Sequence, residues 1–275
     1  KDYYVWDMCC GVGNLEAKHS NHRHLFMSTL DQEDVNIMKA AKICVSAERF
    51  QYDYLNDDIT DNGEIDYSLT NKIPQTLQNV IRDANEGKKK LLVLINPPYG
   101  EATSSDNASK GVGTDASKTG IAKTKFAEVG MSEFGKASNE LFTQFVARIA
   151  KEIPNATLAM FSTLKYVNAQ TMETFREKWK ARYLDGLVVH SKSFDGLKGD
   201  FPIGFLIWKT FNTIANEVKQ IKYTYPIEIS CEVLDKNANP IGEKKFYNAS
   251  NEKYLTCWIE RLKPNKEVCI PLKNA

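Results

Sequence analysis

The residues best suited to bind a ligand or to act in catalysis directly follow a run of apolar residues. They are Asn96, Pro97, Pro98 and Tyr99. Prolines fix φ and lack an N–H group, so the carbonyls of Asn96 and Pro97 are left to face a ligand. The Asn96 side chain adds an acceptor, and Tyr99 adds an aromatic face. Together these groups suit a planar ligand that carries an NH2 substituent. A purely structural turn is the alternative.

A second segment that could bind a ligand is Asp7–Glu16, which contains Gly11 and Gly13 and follows an apolar strand pattern. Glycines let the backbone approach a ligand closely, and Asp7 can supply a negative charge for a cationic group. Glu16 stands where the dinucleotide fingerprint has its third glycine, and no Gly-Lys-Ser/Thr ending is present, so a diphosphate ligand is disfavoured. A structural tight turn is the alternative here.

Two acids follow the next two predicted strands. Asp31 comes after the second strand, where an acid commonly accepts hydrogen bonds from ribose hydroxyls. It is equally suited to cap the following helix, and both roles can coexist. Asp53 stands in a comparable place after the third strand, with Asp57 and Asp58 as rivals. A solvated turn acid is the alternative for Asp53.

The elements that must position these residues alternate along the chain. Strands are predicted at 3–8, 24–30, 49–55, 91–95, 156–162, 185–190 and 203–208, and helices at 31–42, 73–86, 141–153 and 170–184. Such alternation is typical of a sheet covered by helices on both faces. We therefore predict an α/β fold with a Rossmann-like, doubly wound and mostly parallel sheet, in which ligands bind at the carboxyl ends of strands.

Two segments depart from this alternation. Residues 100–138 are rich in Gly, Ser, Thr, Ala and Lys, which predicts a long loop that is mobile without substrate and ordered on it. Residues 221–234 and 241–247 predict an antiparallel hairpin. We therefore divide the chain into a catalytic domain, 1–212, and a small β-rich C-terminal appendage, 213–275.

Charge narrows the possible partners. The 275 residues carry a net charge of +1, with 36 basic and 35 acidic side chains. Residues 1–95 have a net charge of −4 and residues 96–275 a net charge of +5, so a polyanion would meet the second part. No apolar run is long enough to span a membrane, and we expect no membrane partner.

The cysteine and histidine pattern predicts a reduced, cytoplasmic protein without a metal. The six cysteines include an adjacent pair and no C-x-x-C spacing, which argues against both disulfides and a zinc site. His19, His22 and His24 could bind a metal at that density. A polar connection between two strands is the simpler interpretation.

With these motifs in this order, the chain resembles the S-adenosylmethionine-dependent N6-adenine DNA methyltransferases. The resemblance spans roughly residues 4–210 and rests on Asp7–Glu16, Asp31, Asp53 and Asn96–Tyr99. A cofactor motif before the catalytic motif resembles the gamma arrangement, in which a target recognition region follows the catalytic domain. The resemblance implies a sheet of the class I methyltransferase type and a place in a restriction–modification system.

The resemblance also implies how S-adenosylmethionine would be held. The glycine segment would bind its methionine end, Asp31 its ribose and Asp53 its adenine amino group. The implied cofactor-binding residues are Asp7, Cys9, Gly11, Gly13, Asn14, Asp31 and Asp53.

The same resemblance implies the contacts of the substrate, an adenine flipped out of double-stranded DNA. Asn96 and the Pro97 carbonyl would accept hydrogen bonds from the N6 amino group, with Pro98 shaping the corner. Tyr99 and Phe194 would stack on the two faces of the base. For Phe194, a buried loop residue is the alternative.

Two features depart from the family pattern. A further cofactor motif usually precedes the first strand, whereas only Lys1, Asp2 and Tyr3 stand there, so we expect weak cofactor binding. The recognition region is short or missing, which predicts a specificity or restriction subunit, or a fused recognition domain, as a partner. Two other functions stay open: methylation of a protein glutamine amide or an RNA base, and a catalytically incomplete DNA-binding fragment.

Overall fold

In the residues that it describes, the computed structural model has nine strands in one sheet. The strands are β1 (Tyr3–Asp7), β2 (Leu25–Thr29), β3 (Glu48–Gln51), β4 (Lys90–Ile95), β5 (Thr157–Thr163), β6 (Ala181–His190), β7 (Pro202–Thr210), β8 (Ile229–Leu234) and β9 (Pro240–Phe246). The helices are α1 (Gln32–Ala40), α2 (Gln75–Asn85), α3 (Lys125–Val129), α4 (Leu141–Glu152), α5 (Lys165–Asn168) and α6 (Glu173–Lys178). The structure describes residues 3–99, 123–179, 181–194, 200–210, 229–235 and 237–246.

The strand order is β3-β2-β1-β4-β5-β7-β6-β8-β9. Strands β1 to β5 are mutually parallel, whereas β7 runs antiparallel to both of its neighbours. This confirms the predicted α/β fold with a mostly parallel sheet. The chain builds outward from β1 in one direction through β2 and β3, and in the other through β4 and β5. The gap between β1 and β4 is therefore the topological switch point, where open α/β sheets form their ligand crevice.

The sheet is covered on both faces, as in a doubly wound fold. Because side chains alternate along a strand, Val5 and Trp6 of β1 enter two different apolar clusters. The cluster on the Val5 side contains Val35 of α1. The cluster on the Trp6 side contains Leu77 of α2 and Ile149 of α4.

One predicted helix is wrong in its second half. The expected helix at 170–184 is a short 3-10 turn followed by α6, which ends at Lys178, and β6 begins at Ala181. Residues from Ala181 onward pair along β7, and the Tyr183 ring packs on Trp208 with centroids 5.3 Å apart. Local helical spacing is overridden here by strand pairing with a distant segment.

The long loop predicted at 100–138 is wrong in its described part. Helix α3 and a 3-10 helix at Ser132–Asn139 lie within it, with Phe126 and Ala137 buried. Residues 100–122, to which the expected ordering on substrate also applies, lie outside the described residues.

The predicted C-terminal hairpin is confirmed in its described part by the antiparallel pairing of β8 with β9, whereas 221–228 of its first strand lie outside the described residues. Strand β8 also pairs with β6, matching Leu187 with Glu232, so the hairpin extends the main sheet. Ile229 and Cys231 belong to the larger apolar cluster. The proposed boundary at residue 212 lies outside the described residues, and the division into 1–212 and 213–275 stays a prediction.

Candidate functional site

Five of the predicted site residues lie at one edge of the sheet. Asp7 is the last residue of β1, and Asn96 directly follows β4. Asp31 and Asp53 come two residues after the ends of β2 and β3, and Phe194 follows β6. These strands run in the same direction, so their carboxyl ends meet at a common edge.

The glycine segment forms a tight turn after β1. Gly11 and Gly13 have φ values of 53° and 80°, in the left-handed region that favours glycine. A Cβ at Gly13 would lie 2.7 Å from Met27 Cε, whereas a Cβ at Gly11 would meet no atom within 4 Å. A side chain at Gly13 would thus have to displace the end of Met27, whereas Gly11 leaves space for a ligand to approach the backbone.

Beneath this turn lie two buried carboxyl groups, those of Asp7 and Glu16, each 1% exposed. Asp7 Oδ1 accepts a hydrogen bond from the Cys9 N–H at 2.8 Å. No described donor hydrogen-bonds either oxygen of Glu16. Burial, and next the neighbouring Glu16 carboxyl, raises the pKa of Asp7 well above its usual range.

Glu16 responds in the same direction, because burial raises its pKa as well. The pair therefore holds a proton that separate surface carboxyls would release. Burial also raises the pKa values of the adjacent Cys9 and Cys10 thiols, so both are neutral. The turn thus covers an acidic pair, whose charge would favour a cationic ligand group close by.

Asp31 occupies the N-cap position of α1 but does not cap it. Its side chain makes no capping hydrogen bond to any described residue, and it is exposed. The nearby Thr29 hydroxyl donates instead to Asp34 Oδ2 at 2.9 Å. The Asp31 carboxylate is therefore available to a ligand. The helix cap expected from the sequence does not form with any described residue of α1.

Asp53 and its two rivals have different environments. Asp53 is half-buried, and its oxygens accept from the Leu55 N–H and, at 2.8 Å, from Asn56 Nδ2. Asp57 pairs with the Lys72 ammonium at 2.7 Å. Asp58 is buried and accepts from the Thr70 N–H and hydroxyl. All three acids therefore have partners within this stretch of chain, and the role of Asp53 as the ligand-facing acid stays a prediction.

The two-proline corner lies beside the glycine turn. Asn96 is exposed and Pro97 buried, and the Tyr99 hydroxyl donates to Asn96 Oδ1 at 3.0 Å. Within the described residues, no group donates a hydrogen bond to the carbonyls of Asn96 or Pro97. Burial, and then the Cys9 thiol of the glycine turn, raises the pKa of Tyr99.

Phe194 follows β6, which is separated from β4 and its two-proline corner by β5 and β7. Its ring packs edge-to-face on Phe161, with centroids 5.4 Å apart. Parallel pairing matches Ile95 with Met160, so Phe161 is adjacent to Asn96 across β4 and β5. Phe161, which the sequence analysis did not single out, also packs on Phe205 at 4.5 Å.

The sequence analysis also missed a buried ion pair on α4, formed by Arg148 and Glu152. A signal existed: these residues fall on the same stripe as Phe145 and Ile149, at spacings of three and four, where only apolar residues are expected. The histidines that could have formed a metal site do not converge. Among the described residues, no group of three or more potential ligands could hold a metal ion. None of the described helices is long and apolar enough to cross a membrane.

No family model and no curated protein matches the chain. Among solved structures, it is similar to a nuclease-deletion mutant of the Type ISP restriction-modification enzyme LlaGI, with 11% identity and a TM-score of 0.48 over 93% of this chain and 28% of that one. The Type I restriction enzyme EcoKI M protein has 13% identity and a TM-score of 0.44, over 84% and 44% of the two chains. A Listeria monocytogenes protein, assigned provisionally to the class I S-adenosylmethionine-dependent methyltransferases, has 12% identity and a TM-score of 0.41, over 78% and 56%. The chain thus spans well under two thirds of the length of each of these proteins.

Proposed function

We propose that this chain transfers a methyl group from S-adenosylmethionine to the N6 amino group of adenine in double-stranded DNA. It would do so as the modification part of a restriction–modification system, together with a specificity or restriction subunit or a fused recognition domain. The observation that carries the proposal is that the glycine turn and the two-proline corner flank the switch point between β1 and β4. The buried acids under the glycine turn and a set of amine acceptors thereby lie on the two sides of this switch point.

The residues at the glycine turn fit a cationic cofactor. S-Adenosylmethionine, when bound, supplies an electrophilic methyl group on a sulfonium centre. The Asp7–Glu16 pair would provide negative charge near its methionine end, and Gly11 leaves room for it. Asp31 would accept hydrogen bonds from the ribose, and Asp53 from the adenine amino group. Cys9, Gly13 and Asn14 would complete this turn around the ligand.

The two-proline corner fits an exocyclic amine. Asn96 Oδ1 and the Pro97 carbonyl would each accept one hydrogen of the amino group, which draws electron density onto its nitrogen. The nitrogen lone pair would then be directed at the methyl group. Tyr99 and Phe194 would hold the base in plane from its two faces. Most of the rate enhancement comes from this positioning, and the residues need supply no nucleophile of their own.

The first test replaces Asn96 with alanine. We expect Asn96→Ala to abolish methyl transfer while cofactor affinity, measured by calorimetry, stays close to that of the parent. Asn79→Ala is a matched control, because Asn79 Oδ1 also accepts from a neighbouring side chain, Gln75 Nε2, at 3.3 Å on α2. Undiminished transfer by Asn96→Ala would remove Asn96 from the mechanism.

The acceptor is identified by label transfer. The chain and tritiated cofactor are incubated in three separate reactions, with double-stranded DNA, with RNA and with protein. We expect label in DNA, recovered as N6-methyladenine after digestion. Label in RNA or in a protein glutamine would replace the DNA proposal with one of the other methyl acceptors. Absence of cofactor binding would leave only the non-catalytic alternative.

A further inference from the structure

A cluster of buried polar side chains next to the loop after β3 has no role in the contacts proposed so far. It consists of Tyr52, Tyr54, Tyr67, Arg148 and Glu152, and is called here the Arg148 cluster. Arg148 and Glu152 lie one turn apart on α4, with side chains 0% and 1% exposed and Nε 3.3 Å from Oε2. Burying such a pair costs desolvation energy that apolar residues would avoid, so stability alone is a weak reason for it.

The guanidinium of Arg148 is directed at one segment of chain, the loop that follows β3. Its Nη2 donates to the Tyr52 hydroxyl at 2.7 Å. Its Nη1 donates to the main-chain carbonyl of Tyr54 and, at 3.0 Å, to that of Asp57. The planar guanidinium offers its donors in a fixed geometry, so these bonds define where the loop runs.

Glu152 holds the same loop from the other side of the cluster. Its Oε2 accepts from the Tyr54 hydroxyl at 2.7 Å, and its Oε1 accepts from the Tyr67 hydroxyl at 2.6 Å. The Tyr54 ring also lies under the Arg148 guanidinium, 4.2 Å from its Cζ. Every polar group of the pair thus finds a partner, the condition under which a buried ion pair is tolerated.

Asp53 lies between two residues of the cluster, Tyr52 and Tyr54. Its carboxyl is not part of the cluster and accepts instead from the Leu55 N–H at 3.2 Å and from Asn56 Nδ2. The cluster therefore fixes the main chain on both sides of Asp53 without occupying its carboxylate.

We infer that Arg148 is a positioning residue for the adenine subsite, which holds the loop after β3 so that the Asp53 carboxylate is presented to the cofactor's adenine amino group. The inference rests on the proposed function, because it requires the adenine of the cofactor at Asp53. Arg148 itself touches neither cofactor nor substrate in this arrangement. Its effect is on selectivity for an amino group, and not on methyl transfer directly.

The test compares S-adenosylhomocysteine with its analogue in which purine, lacking the amino group, replaces adenine. Calorimetry should show that the parent prefers the adenine form by about tenfold, the contribution of a hydrogen bond to a charged acceptor. The double variant Arg148→Met/Glu152→Gln removes both charges and keeps an acceptor for the tyrosines. We expect its two affinities to agree within about twofold, while its melting temperature stays within about 3 °C of the parent.

Further variants separate positioning from general damage. Arg148→Lys keeps the charge without the planar fork and should lose most of the preference, which covers the case in which the double variant fails to fold. Lys151→Met removes an exposed cation of the same helix, paired with Glu64 at 2.9 Å, and should leave the preference unchanged. Asp53→Ala should abolish the preference for adenine, and it shows the largest loss of preference that the Arg148 variants could produce.

The outcomes distinguish this inference from the proposed function. If the parent discriminates and the Arg148 variants discriminate equally well, the inference is overturned and the proposed function stands. If the parent binds both ligands without preference, Asp53 is not the adenine contact and the inference is again overturned. If the parent binds neither ligand, the proposed function fails and the inference fails with it.

Discussion

Among the individual residues of this site, the two neighbouring buried acids Asp7 and Glu16 have the most unusual environment. Asp7 and Glu16 are both inaccessible to solvent, and burial raises the pKa of each. The folded state therefore binds more protons than the unfolded state at pH values above the ordinary carboxyl pKa values of 3.8 and 4.5. By linkage, this pair makes the folded protein less stable as pH rises through that window.

Glu16→Gln tests this directly. Removing one carboxyl should stabilise the unliganded protein at pH 7 by on the order of 1 kcal/mol, and the gain should shrink as pH falls towards 4. Urea denaturation at several pH values measures it. The same variant should bind the cationic cofactor more weakly than the parent. A stability difference that is independent of pH would show that the pKa of Glu16 is the same in the folded and the unfolded protein.

The positions of some of these residues can be predicted from the sequence, whereas the environment of others cannot, and the difference has a physical reason. Asp7, Asp31, Asp53 and Asn96 could be located because parallel strands bring their carboxyl ends together, so position along the chain implies position in space. The buried state of Glu16 depends on packing between distant segments, which no local pattern encodes. The same holds for the partners of Arg148, which come from the loop after β3.

At the scale of elements, the turn between β1 and β2 depends on two glycines with different constraints. Gly13 is packed against Met27 and has a positive φ, whereas Gly11 has only the positive φ. Gly11→Ala should therefore cost about 1 kcal/mol of folding free energy, from backbone strain alone. Gly13→Ala adds overpacking and should cost about 2–4 kcal/mol.

Urea denaturation of the two glycine variants at equal pH checks this ranking. Calorimetry on Gly11→Ala provides a second readout, because its new methyl group would project into the space left for the cofactor. Equal loss of stability in both variants would contradict the packing role of Gly13. Unaltered cofactor affinity in Gly11→Ala would move the ligand away from that turn.

The types and order of the elements were more predictable than their ends. The five apolar residues of 91–95 correspond to β4, whose side chains are buried on one face of the sheet and half-buried on the other. The segment 170–184 was misassigned because its spacing is helical throughout, while residues from Ala181 gain more from the ladder with β7. Pairing of that kind is decided by chain far away in sequence.

At the scale of the whole molecule, one sheet extends from β3 to β9. The hairpin of β8 and β9 contributes Ile229, Cys231 and Phe246 to the larger apolar cluster and covers the edge of β6. A chain that ends at residue 212 should therefore lose on the order of 3 kcal/mol of stability and tend to associate through the uncovered edge of β6.

Thermal unfolding and size-exclusion chromatography of that shortened chain test the expectation. A separate appendage, as the sequence suggested for 213–275, would leave the melting temperature and the elution volume unchanged. A lower melting temperature together with earlier elution would instead make the hairpin an integral part of the main sheet.

The hydrogen bond from the Tyr99 hydroxyl to Asn96 Oδ1 has a consequence for turnover. An amide oxygen that already has a partner gains little when an incoming amine takes that partner's place, because one hydrogen bond is exchanged for another. The exchange works equally in reverse once the amine has been alkylated. If the proposed function holds, the Tyr99 hydroxyl would occupy this acceptor in the absence of the base, which would keep binding of the substrate base weak and ease departure of the product.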